Sequence, residues 1–262
     1  MEFRTVVAIP KGSFLIEPGQ QMLFVGSCFA DNIGRRAQQE MFRATVNPFG
    51  VMYNPASVLH TIERLAPNLP PTVVVTLGTN HVYREKATGK IVDNCQKRPQ
   101  NLFQEEILDV AQCTDYLQRM VALLRQHQPD GQVVFTVSPI RYRKYGYHES
   151  QLSKATLLLA VDRLRGEGVD YFPAYEIVLD ELRDYRFYQP DMLHPSDQAV
   201  EYIWQRFGET YFSNRTRQFL AEWKPIKEAL AHRPFNPDSE EYQAFLATAR
   251  EKERQLRTQY QL

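Results

Sequence analysis

Short runs of apolar residues recur along the first two thirds of the chain and alternate with longer amphipathic segments. The runs are bounded by glycine, proline or polar residues and are rich in β-branched side chains, which is the pattern of a buried strand. The clearest are QMLFVG (21–26), TVVVTLG (72–78), QVVFTVSP (132–139) and VDYFPAY (169–175). We predict a buried β-strand in each of these runs.

The segments between the runs have helical spacing. Apolar residues recur every four positions from Phe29 to Met41, and Asn54 followed by Pro55 is a favourable N-cap and first-turn pair for a helix that ends near Leu65. Further helices are predicted over residues 115–126, 152–164 and 195–211, and a hairpin or long loop over 83–104. Strands that alternate with helices favour a parallel sheet covered on both faces.

We therefore expect an α/β fold of three layers, α/β/α, with a mainly parallel central sheet. From residue 213 onward the chain is polar and has helical spacing, and Pro225, Pro234 and Pro237 mark candidate helix boundaries. This change of composition predicts two parts: a domain over residues 1–212 and a helical C-terminal extension over 213–262 packed on it. In such folds the active site lies at the carboxyl ends of the strands.

Composition and charge exclude two classes of partner. The 262 residues include 31 basic and 31 acidic side chains, so the formal net charge is zero and broad binding to a nucleic-acid backbone is not expected. No segment approaches the roughly 20 apolar residues that span a bilayer, and the apolar run near the N-terminus is too short for a signal peptide. We expect a small-molecule substrate and no nucleic-acid or membrane partner, and the sequence does not indicate an oligomeric state.

The cysteines point to a reducing compartment. Cys28, Cys95 and Cys113 are odd in number and widely spaced, which does not suggest a disulfide framework. They also form no CxxC pair, and no histidine pair has ligand spacing, so we expect no metal and no cofactor. We predict a cytoplasmic protein.

Residues suited to acyl transfer follow several of the predicted strands. Ser27 and Cys28 stand side by side after the first strand, and Asn80 follows the second. Near the end of the domain, Asp191 and His194 lie three residues apart, a spacing that lets the carboxylate reach the imidazole. A hydroxyl or thiol, a base and a group that orients the base are what such a site requires, together with donors for the oxyanion.

These blocks, in this order, resemble the SGNH (GDSL-type) hydrolases. The stretch GSCFA (26–30) spells the name of a narrower branch, the GSCFA family, and SPIRY, QLSKATLLLA and DMLHPS are similar to that branch. The resemblance covers roughly residues 20–212. It implies the flavodoxin-like SGNH fold for the domain, a hydrolase activity and a Ser-His-Asp triad.

The resemblance also implies a role for each matching residue. Ser27 matches the nucleophile, His194 the general base and Asp191 the acid that orients it. The backbone N–H groups of Ser27 and Gly50 and the side chain of Asn80 match the donors of the oxyanion hole. One position departs from the pattern: the usual Gly-Asp before the nucleophile is Val25-Gly26 here, so the aspartate is missing.

Four residues near the predicted site have alternative interpretations. Cys28 is expected to be a small buried apolar residue, although the N-terminus of a helix can activate a thiol, which keeps it as the alternative nucleophile. Asn80 is equally suited to a turn. Arg141 and His148 follow the third strand and are possible substrate contacts, with a solvated loop as the simpler interpretation.

The sequence thus predicts a serine esterase that hydrolyses an O-acyl ester, most simply an acetyl ester, on a carbohydrate. The preference for a sugar comes from the wider resemblance alone. Two alternatives stay open: an acyltransferase that uses the same triad, and a noncatalytic carbohydrate-binding or scaffold protein with this fold.

Overall fold

We describe the fold from a computed structural model, which gives the structure of residues 4–93, 95, 98–166 and 168–262. The strands are β1 (Gln21–Gly26), β2 (Arg43–Val46), β3 (Thr72–Leu77), β4 (His81–Glu85), β5 (Ile91–Val92), β6 (Phe103–Ile107), β7 (Gln132–Val137) and β8 (Val169–Tyr171). The central sheet has the order β2-β1-β3-β7-β8, and all of its pairings are parallel.

This strand order is the flavodoxin-like one, in which the chain changes direction across the sheet between β1 and β3. Crevices at the carboxyl ends of the strands on either side of such a switch point are where ligands bind in open α/β sheets. Residue 27 follows β1 and residue 78 follows β3, so both stand at the switch point. The predicted α/β class and the mainly parallel sheet are confirmed.

Helices cover both faces of the sheet. They are α1 (Cys28–Gln39), α2 (Pro55–Leu65), α3 (Val110–His127), α4 (Tyr147–Asp162), α5 (Ala174–Glu176), α6 (Asp197–Tyr211), α7 (Asn214–Ala231) and α8 (Glu240–Tyr260). The short α5 continues directly into a π-helical turn over Ile177–Leu182.

The period of two along each strand divides the core into two halves. Odd-numbered residues of β1, β3 and β7, such as Val25, Val75 and Phe135, pack against α2, α3 and α4. Even-numbered residues of the same strands, such as Phe24 and Val74, pack against α1 and α6. Both halves are fully buried, which is why the strands read as continuous apolar runs instead of alternating ones.

Several elements differ from the sequence-based prediction. The strand predicted over 169–175 ends at Tyr171, since Pro173 and α5 follow it. β2 was not predicted, because Arg43–Val46 is a half-buried edge strand without a long apolar run. α3 begins at Val110 instead of residue 115, since Asp109 and Gln112 form a capping box five residues earlier. α4 begins at Tyr147 instead of residue 152, and its first turn is polar and exposed, which hides it from a search for apolar spacing.

The segment predicted as a hairpin or long loop forms a small antiparallel sheet. Its strands have the order β5-β4-β6, with β4 paired to both neighbours. Gly89 adopts a φ of +67° in the turn between β4 and β5, where an L-residue is disfavoured. Because β4 starts directly after the Gly78–Asn80 turn, this small sheet stands beside the switch point.

The C-terminal helices α7 and α8 pack on each other around Phe219, Trp223, Leu256 and Tyr260. They contact the α/β domain at the end of α1, where the Trp223 indole N–H donates to the Gln39 carbonyl at 3.1 Å and Lys227 binds the buried Glu40 carboxylate at 2.5 Å. Across the part of the chain that the structure describes, we find no helix that is long and apolar enough to cross a membrane.

Candidate active site

A tight turn joins β1 to α1 and carries the predicted nucleophile. Gly26 has a φ of +134°, and a β-carbon there would lie 2.1 Å from the backbone oxygen of Thr76, so only glycine fits. The next residue, Ser27, donates its N–H to the same Thr76 carbonyl at 2.8 Å. β1 therefore passes directly into α1 with its last residues pressed against the end of β3.

The Ser27 side chain is the N-cap of α1. Its oxygen accepts from the N–H of Phe29 at 3.3 Å and shares a hydrogen bond with the Thr76 hydroxyl at 3.0 Å. Ser27 is only 1% exposed. The predicted nucleophile is thus present at the switch point, and in this structure its hydroxyl is turned into the protein, toward β3.

Cys28 is the first residue of α1 and is half-buried. Its sulfur lies 3.5 Å from the hydroxyl of Tyr53, a residue that is 38% exposed. Burial, and then the hydrogen bond with Cys28, raise the pKa of the Tyr53 phenol, so this hydroxyl stays protonated at neutral pH. The predicted apolar role of Cys28 is only partly realised, because its thiol also contacts a polar group at the surface.

Asp191 and His194 form a hydrogen-bonded pair in the loop before α6. Asp191 Oδ2 lies 2.6 Å from His194 Nδ1, while Oδ1 accepts from the backbone N–H groups of Leu193 at 2.8 Å and His194 at 3.0 Å. The backbone N–H and then the ring of His194 lower the pKa of Asp191 to about 2. The carboxylate is therefore charged at neutral pH and holds Nδ1, which leaves Nε2 to accept a proton.

The structure does not join the two halves of the predicted triad by a hydrogen bond. Within the described residues, the Ser27 hydroxyl is bonded to Thr76 and Phe29, and the His194 ring is bonded to Asp191. Catalytic hydrogen bonds are often long in a protein without substrate and shorten when substrate binds. The triad stays a prediction.

Each predicted oxyanion donor is bonded to a backbone carbonyl of the protein. The Ser27 N–H donates to Thr76 at 2.8 Å, and the Gly50 N–H donates to Asn47 at 2.9 Å. The Asn80 amide donates to Leu108 at 2.7 Å, and Asn80 is 3% exposed. An amide NH₂ has a second proton, so the Asn80 side chain keeps one donor beyond this bond.

Two further residues fix the nucleophile turn, Asn47 and Thr76, and sequence reasoning missed the second of them. Asn47 accepts from the Gly26 N–H at 2.9 Å and donates to the Asp31 carboxylate at 2.7 Å, so it ties the turn to α1. The Thr76 carbonyl accepts the Ser27 N–H, and the Thr76 hydroxyl shares a hydrogen bond with the Ser27 hydroxyl. The sequence gives little signal for Thr76, because threonine is common in strands and β3 also begins with Thr72.

Arg141, predicted as a substrate contact, supports the loop that carries the histidine. Its backbone N–H donates to Leu193 at 2.9 Å and its guanidinium donates to Met192 at 3.1 Å. Three tyrosine rings surround the guanidinium, with centroids at 4.5 Å for Tyr147, 5.5 Å for Tyr185 and 5.4 Å for Tyr188. Because Arg141 follows β7, these bonds bring the Asp191–His194 loop to the carboxyl edge of the sheet.

The other predicted substrate contact, His148, lies in the first turn of α4 and is exposed. Arg141 also lines a cavity of about 450 Å³. The other residues that line it include Gln151, Asp180, Arg183 and Tyr188.

A row of aromatic rings extends from Cys28 to the small antiparallel sheet; we call it the aromatic row. Its members are Tyr53, Tyr142, Tyr145 and His81, with successive centroids 6.3, 5.4 and 3.9 Å apart. The last pair is stacked with 9° between the rings. Burial lowers the pKa of His81, so its ring stacks in the neutral form.

Comparison with known proteins gives a family match over most of the chain. The model of the GSCFA family matches residues 21–72 and 69–207, and the model described as GSCFA domain protein, C-terminal domain, matches residues 223–262. No curated protein sequence matches the chain.

Several solved structures are similar at low identity. An acetyl esterase mutant with acetate ion is 10% identical, with 78% of this chain and 99% of that chain covered and a TM-score of 0.47. A carbohydrate esterase of family 3 from Talaromyces cellulolyticus is 11% identical, with 78% and 99% covered and a TM-score of 0.43. An acetyl xylan esterase from the rumen bacterium Butyrivibrio proteoclasticus is 11% identical, with 74% and 64% covered and a TM-score of 0.44.

Proposed function

Because this chain belongs to the GSCFA family, the family that its GSCFA and DMLHPS stretches predict, we propose that it hydrolyses carboxylic esters. The observation that carries the proposal is the pair of Asp191 Oδ2 and His194 Nδ1, 2.6 Å apart. Arg141 holds this pair at the sheet edge where the β1–α1 turn also ends. A histidine oriented by a charged carboxylate is the base that acyl transfer requires, together with a hydroxyl or thiol as the nucleophile.

The proposed reaction passes through an acyl-enzyme. His194 Nε2 takes the proton of the nucleophile as its oxygen or sulfur attacks the carbonyl carbon of the ester. The bond to the leaving alcohol then breaks, and the imidazolium returns the proton to the alcohol oxygen. Water attacks the acyl-enzyme with His194 again as the base, which releases the carboxylic acid and restores the nucleophile.

Ser27 is the proposed nucleophile, on the family pattern, and Cys28 is the alternative. For Ser27 to react, its hydroxyl must leave Thr76 and turn toward the cleft, a rotation about one side-chain bond. The Cys28 thiol is the more exposed of the two groups. Single substitutions at the two positions distinguish them.

The oxyanion would form at the switch point and requires donors there. The Ser27 and Gly50 N–H groups and the Asn80 amide stay the proposed donors. Asn80 is the one with a spare proton beyond its bond to Leu108. The two backbone groups would have to exchange their internal acceptors for the oxyanion, a change that accompanies closure of a site around substrate.

We propose an O-acyl group on a carbohydrate, most simply acetyl, as the substrate. The aromatic row supports this class, because tyrosine offers an apolar ring for the C–H face of a sugar and a hydroxyl for its polar groups. The row starts at Tyr53, next to the candidate nucleophiles. An acyltransferase would use the same chemistry with a sugar hydroxyl in place of water. We further propose a cytoplasmic location, on the three free cysteines.

The test is labelling by a fluorophosphonate with detection by intact mass, alongside turnover of p-nitrophenyl acetate. We expect one adduct per chain and hydrolysis that fails when His194 is replaced by Ala. Addition of a sugar acceptor distinguishes the alternatives, since an acyltransferase transfers the acetyl group to the sugar faster than to water. A wild-type protein with neither adduct nor turnover would favour the noncatalytic binding protein.

A further inference from the structure

Two consecutive residues of α4, Ser153 and Lys154, are buried and aim their polar groups at the carboxyl edge of the sheet. They are 5% and 2% exposed. In α4 the buried positions recur every three or four residues, and both residues lie on this stripe. A lysine at such a position is uncommon, because burial of an ammonium group is costly unless it is paired or hydrogen-bonded.

The Lys154 ammonium links the two loops that leave the centre of the sheet. Its Nζ donates to the Gly78 carbonyl at 2.8 Å and to the Ser138 carbonyl at 2.8 Å. These residues directly follow β3 and β7, which pair in parallel through Leu77 and Val137. Lys154 therefore joins the ends of β3 and β7 at the point where the two strands separate.

Ser153 fixes the same turn from its other end. Its hydroxyl oxygen accepts from the Asn80 N–H at 3.0 Å and shares a hydrogen bond with the Thr79 hydroxyl at 3.2 Å. Together the two residues bind each member of the Gly78–Asn80 turn. The turn is thus held from α4 and is not left to the flexibility of its own backbone.

The Gly78–Asn80 turn is in contact with the nucleophile turn. A β-carbon on Gly78 would lie 3.4 Å from Ser27 Cβ and 3.2 Å from a ring carbon of Tyr53. The N–H groups of Gly78 and Thr79 both donate to the Tyr53 carbonyl, at 2.8 and 2.9 Å. A shift of this turn would therefore move the surroundings of Ser27 and the ring that contacts Cys28.

We propose that Ser153 and Lys154 are positioning residues that hold the Gly78–Asn80 turn at the distance from Ser27 that the reaction needs. The inference rests on the proposed ester hydrolysis. Neither residue is assigned to contact the substrate; both act through the turn. Displacements on the order of 1 Å around a reacting group can lower a rate by about 100-fold, so rigid support here has a kinetic consequence.

The experiment compares Ser153→Ala and Lys154→Met with Ser213→Ala. Ser213 is a matched control, because it is a buried serine that caps α7 and accepts from the Thr216 N–H at 3.0 Å, on the C-terminal part of the chain. We expect kcat for p-nitrophenyl acetate to fall about 10- to 100-fold in the first two variants, with KM changed less than about threefold. Ser213→Ala should lose thermal stability and keep wild-type kcat.

A kcat in both variants equal to that of Ser213→Ala would overturn the proposal. If Lys154→Met does not fold, Ser153→Ala alone decides in the same way. Amide hydrogen exchange in residues 78–80 tests the positioning role without using esterase activity. It therefore distinguishes failure of the positioning role from failure of the proposed ester hydrolysis. If the wild-type protein has no esterase activity, faster exchange there in the variants than in Ser213→Ala still supports the positioning role, and unchanged exchange refutes it.

Discussion

The hydroxyl of Ser27 lies 3.0 Å from the hydroxyl of Thr76, on the neighbouring strand of the sheet. The same threonine accepts the Ser27 N–H through its carbonyl, at 2.8 Å. Both bonds pull Ser27 toward β3 and away from solvent, whereas the next residue, Cys28, starts the helix and contacts the partly exposed Tyr53. The identity of the nucleophile therefore depends on whether the Ser27 side chain turns when substrate binds.

Single substitutions at the two positions decide between hydroxyl and thiol. We expect Ser27→Ala to abolish fluorophosphonate labelling and lower kcat/KM on the order of 10⁴-fold or more, as loss of a triad nucleophile does. Cys28→Ala should leave kcat/KM within a few fold of wild type. Intact-mass labelling and initial rates on p-nitrophenyl acetate provide both measurements.

The reverse pattern would assign the chemistry to Cys28 and leave Ser27 as the N-cap of α1. Far-UV circular dichroism and thermal unfolding serve as controls, because removal of an N-cap hydroxyl costs about 1 kcal/mol without unfolding a stable domain. A Ser27→Ala protein that is folded but inactive thus reports on chemistry and not on helix stability.

Replacement of Asp191 by Asn tests the orienting carboxylate. Hydrogen bonds from His194 lower the pKa of Asp191 to about 2, so the carboxylate stays charged from pH 4 upward and adds no limb of its own to an activity profile between pH 5 and 9. In the wild type, kcat/KM should rise with pH and then level off, because a general base must be unprotonated to accept a proton. In Asp191→Asn a neutral amide replaces the charged partner of the imidazolium that forms during the reaction, so kcat/KM should fall over the whole range.

The plateau of the Asp191→Asn variant should fall by about 100-fold or more, because an amide no longer fixes the ring in the productive tautomer. The measurement is kcat/KM from pH 5 to 9 for both proteins. A flat wild-type profile would remove His194 as the base. Two superimposable profiles would remove Asp191 as its partner.

The sequence predicted the sheet and the Asp191–His194 pair because both depend on local order. Buried parallel strands are continuous apolar runs, and an acid three positions before an imidazole can reach it within one turn. The surroundings of Ser27 depend instead on β1 and β3 standing side by side, with Gly26 opposite Thr76 in the register. The sequence of neither strand indicates which strand it pairs with or in which register.

The contacts of Lys154 also depend on strand pairing that the local sequence does not show. The leucines of QLSKATLLLA lie on both faces of α4, since Leu157 is buried whereas Leu152 and Leu159 are exposed, so apolar spacing does not place Lys154 in the core. Its acceptors, Gly78 and Ser138, are 76 and 16 residues away along the chain and become neighbours only when β3 and β7 pair. The sequence pattern therefore indicates neither the burial of this lysine nor what it binds.

Burial of Lys154 predicts a pH-dependent contribution to stability. Desolvation lowers its pKa from 10.5 to about 7 in the folded protein, whereas the unfolded chain keeps the ordinary value. Between these two values the unfolded state binds more protons than the folded state, so the free energy of unfolding should rise with pH from about 7 to 10 on this account. Below pH 7 the folded protein carries the full cost of a buried charge.

The comparison is between wild type and Lys154→Met, which removes the titrating group and keeps most of the side-chain volume. Urea unfolding at pH 6, 7, 8 and 9 gives the free energy of unfolding of each protein. The difference, wild type minus variant, should change little between pH 6 and 7 and increase from pH 7 to 9, because other titrations are common to both. A difference that does not change with pH would mean that Lys154 titrates as an exposed lysine does.

Gly26 should tolerate no side chain. Its φ is +134°, and a β-carbon added there would come within 2.1 Å of the Thr76 carbonyl oxygen, so Gly26→Ala strains the backbone and pushes β1 from β3. We expect a loss of about 2 kcal/mol or more in the free energy of unfolding. Gly89→Ala is the matched control, since Gly89 has a φ of +67° with nothing within 4 Å of a β-carbon, and it should lose only about 1 kcal/mol.

Equal losses for the two glycine variants in urea unfolding would mean that the contact with Thr76 contributes nothing beyond backbone strain. A larger loss for Gly26→Ala, accompanied by lost esterase activity, would connect the β1–β3 contact to the site. The activity measurement matters because Gly26 directly precedes the candidate nucleophiles, so strain in the alanine variant would reach them.

Arg141 offers a choice between two roles that the kinetics separate. If it contacts substrate, as the sequence suggested, Arg141→Ala should raise KM and leave kcat nearly unchanged. In the structure its backbone and guanidinium donate to Leu193 and Met192, next to His194. Loss of the guanidinium removes one of these bonds and the packing of three tyrosine rings, so we expect the His194 loop to loosen and kcat to fall about 10-fold or more with a small change in KM.

Arg183→Ala is the matched control, because Arg183 lines the same cavity, and its guanidinium is 78% exposed and pairs with Asp180 on its own turn. It should keep wild-type kcat. A rise in KM for both variants would make the cavity beside Arg141 a substrate subsite and return Arg141 to the role that the sequence predicted. A fall in kcat confined to Arg141→Ala would instead identify it as the residue that holds His194 at the carboxyl edge of the sheet, where the nucleophile turn ends.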